Sequence, residues 1–172
     1  PTLPRHLPVI PLRMSPEPDW HRLKHELSEQ AESLGFGALG VSGIDLSADE
    51  ARLWQWLQRG WHGDMDYMAR HGSKRSRPAE LVPGTLRVVS VRMEYWPAAS
   101  QPPLTLLADR SRAYLSRYAL GRDYHKVLRQ RLQKLADWLV ERVGPFGYRA
   151  FTDSAPVLEK PLARNAGLGW IG

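Results

Sequence analysis

Apolar residues recur along this chain at intervals that predict elements before any composition is counted. Behind Asp19, a helix-capping residue type, Trp20, Leu23, Leu27, Ala31 and Leu34 return every three or four positions, the spacing of one helical face, and Gly35 and Gly37 end the run. Ala38–Val41 then reads as a short buried strand. Ser47 opens a second helix and Glu50, three residues on, predicts a capping box, with Leu53, Trp54 and Leu57 as the apolar face and Gly60 as the stop. A short helical piece over Asp64–Arg70 and a loop over His71–Gly84 follow. Leu86–Tyr95 alternates, with Val89, Val91, Met93 and Tyr95 on one face, and predicts a strand. Trp96–Pro103 is a proline-rich loop. The longest periodic segment, Tyr124–Val143, carries a stripe of Val127, Leu128, Leu132, Leu135, Leu139 and Val143 behind Asp123. Tyr148–Thr152 predicts another strand, and Pro156–Asn165 a further helix interrupted at Pro161.

That order, helices alternating with strands, predicts a single α+β or α/β-sandwich domain over residues 19–172. Pro1–Pro18 holds six prolines and no period, so it reads as a tail, with Met14 as a candidate true start. The other end, Ala166–Gly172, is apolar and glycine-rich where domain ends are usually polar, and reads as cut.

Composition narrows the chemistry. At 42% hydrophobic residues there is enough for a core, and no run reaches the ~18 apolar residues of a membrane helix. No secretory signal pattern opens the chain, which makes the cytoplasm the default compartment. There is no cysteine, so disulfides, thiolate zinc sites and cysteine-ligated iron–sulfur clusters are excluded within these residues. Lys and Arg outnumber Asp and Glu by 24 to 18. Arg110, Arg112, Arg117, Arg122, Lys126, Arg129 and Arg131 fall in one stretch interleaved with Tyr114, Tyr118 and Tyr124, a pattern shared by ordinary basic surfaces and by nucleic-acid-binding ones.

Few residues announce chemistry by spacing. His21 and His25 share a helix face without a third ligand at metal spacing, and read as exposed helix histidines. The glycines match neither a P-loop nor a dinucleotide fingerprint. Asp153, between an apolar segment and Ser154-Ala155-Pro156, admits two readings: a helix N-cap with proline in the first turn, or a carboxyl facing an apolar pocket that acts as a general acid.

Longer motifs are more specific. Asp66-Tyr67-Met68-Ala69-Arg70-His71, Leu81-Val82-Pro83-Gly84, Gly121-Arg122-Asp123-Tyr124-His125-Lys126-Val127-Leu128, Phe151-Thr152-Asp153-Ser154-Ala155-Pro156-Val157-Leu158-Glu159-Lys160 and Ala166-Gly167-Leu168-Gly169-Trp170-Ile171-Gly172 occur in this order, and together resemble the epoxyqueuosine reductases from about residue 14 to 172. The resemblance implies a nitroreductase-like, cobalamin-processing-like fold that binds cobalamin. It implies tRNA bearing epoxyqueuosine as substrate, queuosine as product, and a monomeric cytoplasmic enzyme. Two [4Fe–4S] clusters are expected elsewhere in such an enzyme, since this chain has no cysteine to hold them. By the same resemblance Asp153 is the proton donor, and Arg75, Ser116, Asp153 and Lys160 line the cobalamin site, with no protein ligand to the metal. Alternatives are a cobalamin-binding or trafficking module without catalysis, a reductive dehalogenase-type reductase, and a plain basic RNA-binding domain.

Overall fold

The structure, a computed structural model, describes residues 19–96 and 99–171. Its elements in chain order are α1 (Trp20–Ser33), β1 (Ala38–Ser42), α2 (Ser47–Gln58), α3 (Pro78–Leu81), β2 (Val88–Arg92), α4 (Pro103–Ala108), α5 (Tyr124–Val143) and α6 (Glu159–Asn165), with single 3-10 turns at Asp66–Met68, Gly72–Arg75 and Arg117–Ala119. The predicted tail and Met14 lie outside the described residues.

Helix α1 begins where the sequence places it. The Asp19 carboxylate accepts from the His21 and Arg22 amides, and the helix ends in a Schellman turn: Phe36 N–H donates to Ala31 and Gly35 N–H to Glu32. Gly35 takes a φ of 82°, which a side chain would strain, and the Arg131 guanidinium of α5 donates to its carbonyl at 3.1 Å. That contact seats the long helix on the α1–β1 turn.

β1 and β2 pair antiparallel, with Leu39 opposite Val91 and Gly40 opposite Ser90. Because side chains alternate along a strand, the two faces of this ribbon meet different partners. Leu39, Val91 and Met93 pack against Leu27, Ala31 and Phe36 and against Leu135 of α5. On the other face, Val88 joins a second cluster of Leu46, Val157 and Leu162, with Phe151, Ala155 and Leu158 at its edge. The ribbon is thus clad by α1 and α5 on one side and α6 on the other, the α+β layering expected from the element order. Gly40 makes the second cladding possible, since a Cβ there would stand 2.2 Å from the Ala166 carbonyl oxygen at the end of α6.

Four local expectations change. The Ser47–Glu50 capping box does not form; Asp45 accepts from the Ser47 amide, and Glu50 instead turns outward to bind Ser76 and Arg77. Tyr148–Thr152 is not a strand: the Tyr148 hydroxyl folds back toward Gln133 and Asp137 on α5, and the segment pairs with neither strand of the ribbon. Within Leu86–Tyr95 only Val88–Arg92 pairs, and Val89 and Tyr95 are exposed rather than facing the core. The last helix starts at Glu159, not Pro156, which changes the meaning of Asp153.

Candidate functional site

With α6 beginning at Glu159 and Leu158 at its N-cap position, Asp153 caps nothing. It sits on a turn between Phe151 and Ala155 with a φ of 52°, the one non-glycine residue in left-handed backbone among the described residues. Asp and Asn tolerate that region better than other side chains, yet it is sparsely populated and recurs at functional sites. Nor is the carboxyl in an apolar pocket; half of its side-chain surface is open.

Three neighbours meet it. The Tyr124 hydroxyl, from the first turn of α5, donates to Asp153 Oδ2 at 2.6 Å. His125 Nε2 lies 3.7 Å from the same oxygen, while its Nδ1 is 3.1 Å from Asp123 Oδ1, so the imidazole stands between two carboxylates. From α6, the Glu159 carboxyl faces the Asp153 N–H; burial first, and then the Asp153 charge, raise its pKa above the ordinary carboxylate range. The hydrogen bond to Asp153, helped by partial burial, pushes the Tyr124 phenol up to about 12. Asp123 earns its position twice: its carboxylate accepts from the His125 amide, capping α5, and the His125 ring holds its pKa down. The Tyr124 ring stacks on His125 at 4.0 Å and meets Tyr118 edge-on at 6.0 Å. Tyr124, His125 and Glu159 were not singled out by sequence spacing. All three lie inside the quoted motifs, Tyr124 and His125 in one and Glu159 in the same one as Asp153, and that adjacency is the available signal.

The other predicted site residues separate in character. Arg75 is buried, and its guanidinium is spent on backbone: Nε donates to the Met68 carbonyl at 3.2 Å and Nη2 to that of Tyr67 at 2.8 Å. Its own carbonyl accepts from Leu158 N–H at 2.9 Å, tying this loop to the segment behind Asp153. Lys160 is exposed in the first turn of α6, and Ser116 is exposed at the start of the 3-10 turn that carries Tyr118. Leu115, Tyr118 and Leu120 are exposed large apolar side chains in that same stretch, next to Tyr124. The basic stretch divides likewise. Arg131 is turned inward, Arg117 stacks on Trp96 at 3.9 Å, Arg112 pairs with Asp109 at 3.1 Å, and Arg110, Arg122, Lys126 and Arg129 are exposed. No cluster of three metal-binding side chains occurs among the described residues.

Known proteins are similar to this chain in sequence and in fold. A family model described as epoxyqueuosine reductase QueG, DUF1730, matches residues 75–154, the interval from Arg75 through the Asp153 turn. An epoxyqueuosine reductase of Pseudomonas aeruginosa is 59% identical over 155 residues, covering 90% of this chain and 43% of its own. That of Vibrio cholerae is 53% identical over 154 residues, covering 90% and 42%. By sequence and by fold, the chain is similar to a part of the epoxyqueuosine reductases. The epoxyqueuosine reductase from Bacillus subtilis, solved with an aspartate catalytic loop swung out of its active site, superposes with a TM-score of 0.67 at 25% identity, over 87% of this chain and 39% of that one. An epoxyqueuosine reductase solved with an epoxyqueuosine-modified tRNA-Tyr stem loop gives 0.68 at 26% identity, over the same shares. The chain spans about two-fifths of the length of these reductases. No helix among its described residues is long and apolar enough to cross a membrane.

Proposed function

We propose that this chain is the cobalamin-binding part of an epoxyqueuosine reductase, which removes the epoxide oxygen of epoxyqueuosine in tRNA as water to give queuosine. The observation that carries the reading is the Asp153 turn: an accessible carboxyl, on strained backbone, held by α5, within a segment that matches the family. Loss of an epoxide oxygen as water consumes two electrons and two protons. Cobalamin, when bound, supplies low-potential cobalt as the immediate electron donor, fed by iron–sulfur clusters for which this chain has no cysteine.

The chain's own residues handle the proton and the binding. Opening the epoxide leaves an alkoxide too basic to depart unaided; Asp153 delivers one proton to that oxygen, and a second, from solvent, completes the water that leaves. Ser116 and Lys160 contact the corrin periphery. Arg75 contributes from below by fixing the Tyr67 and Met68 carbonyls. Arg110, Arg122, Lys126 and Arg129, exposed beside the tyrosines, offer charge to the tRNA backbone. The enzyme acts as a cytoplasmic monomer.

Two measurements test the reading. Titrating the chain with cobalamin should shift the corrin visible spectrum saturably. The full-length enzyme, supplied with a reductant, should convert epoxyqueuosine in tRNA to queuosine, followed by mass spectrometry of the digested tRNA. A chain that binds tRNA but leaves the corrin spectrum untouched would instead be a plain basic RNA-binding domain.

A further inference from the structure

We infer that Tyr124 is a positioning residue for the reaction, a latch whose hydroxyl holds the Asp153 turn where its carboxyl can act. The inference rests, for its catalytic half, on the reaction proposed above; the latch itself stands on geometry alone. Asp153 occupies left-handed backbone with φ 52°, which aspartate tolerates but which is sparsely populated and is held in place by surrounding contacts. Besides the Glu159 carboxyl facing the Asp153 N–H, its turn offers few such contacts. Ser154 is exposed, Thr152 is half-buried, and no helix begins until Glu159. The shortest contact of the Asp153 side chain is the 2.6 Å hydrogen bond from Tyr124, with His125 at 3.7 Å behind it.

Tyr124 is itself well anchored. It begins a 20-residue helix whose N-terminus Asp123 caps, and its ring is sandwiched, stacked on His125 and met edge-on by Tyr118. A rigid donor on a long helix facing a strained acid on a short turn is the arrangement that fixes a proton donor in place. The hydroxyl binds one carboxyl oxygen, Oδ2, and does not touch the substrate in this reading, so Tyr124 acts through Asp153.

Tyr124→Phe separates this role from a packing role, because it keeps the ring between His125 and Tyr118 and deletes only the hydroxyl. In the 172-residue chain, the amide order parameter of Asp153 is expected to fall from the rigid range near ~0.85 to below ~0.6, while those of α5 stay put. In the full-length enzyme, kcat for queuosine formation is expected to drop about tenfold or more, the factor of one charge-assisted hydrogen bond, with the KM for tRNA within about twofold. An unchanged order parameter at Asp153 overturns the latch. Wild-type kcat in the Phe variant, or a loss confined to KM, overturns its part in the reaction. If the wild-type enzyme forms no queuosine, the reaction assigned above fails, and the order parameter still decides the latch by itself.

Discussion

Replacing Asp153 with Asn probes the chemistry with little disturbance of the fold, and the structure says why. The substitution removes no helix cap, because α6 starts six residues later. Asn tolerates a φ of 52° as Asp does, and its side-chain oxygen still accepts from the Tyr124 hydroxyl. What disappears is one charge, half open to water, 3.7 Å from His125 Nε2; an exposed pair of that kind is worth at most about 1 kcal/mol. The carboxylic acid also disappears, and general acid help contributes about 10²–10⁴-fold, or about 3–5 kcal/mol of barrier. The chemical loss therefore exceeds the structural one several-fold. In the full-length enzyme, queuosine formation should fall by that factor while the melting temperature and the visible spectrum of bound cobalamin hardly move. Near-normal turnover in the Asn variant would refute the proton-donor assignment. Loss of the cobalamin spectrum together with activity would move Asp153 to a binding role.

Other consequences can be checked on the chain itself. Gly40→Ala should destabilise by about 1–3 kcal/mol in denaturant unfolding, since its Cβ would meet backbone at 2.2 Å and either β1 or α6 must give way. Arg77 and Ser76 hold the Glu50 carboxyl down to about 2 from an ordinary 4.5. The folded-state value is the lower one, so this group's stabilisation is complete above about pH 4.5 and is lost as pH falls toward 2. Glu50→Gln should accordingly flatten the acid limb of a stability–pH curve. Ultraviolet titration should find one phenol ionising near 12, and Asp153→Asn should bring that phenol earlier by removing the charge that opposes it.

Local signals in the sequence were legible wherever one element decided them. Asp19 and Asp123 cap helices as their positions predict, and α5 runs from Tyr124 to Val143 as its stripe requires, because a continuous apolar face fixes its own period. Where a segment's fate depended on a distant partner, the pattern misled. Glu50 has the spacing of a capping box, yet an arginine 27 residues away offers a 2.8 Å ion pair, and that contact wins. Tyr148–Thr152 alternates like a strand but has no edge to join, so its tyrosine goes to α5. Sequence position leaves Asp153 open between a helix cap and an acid, and the cap reading fails because Pro156 looks like the first turn of a helix that the backbone delays to Glu159. The proximity of Tyr124 and His125 to it, across 28 or more residues of chain, has no local signature at all.

The tether of the Asp153 turn sets how far its carboxyl can travel. Phe151 on one side and Ala155 on the other both pack against the second core cluster, and Leu158 is fastened to Arg75 just beyond. Only Thr152–Ser154 lies between the packed positions, a contour of about 10 Å, so the backbone at Asp153 swings through no more than roughly half that. Such an arc breaks the Tyr124 hydrogen bond without withdrawing a single apolar side chain from the core. The placement of the acid is therefore set by more than the core that anchors its turn: loss of the Tyr124 hydroxyl misaligns it while every apolar contact of Phe151 and Ala155 stays in place.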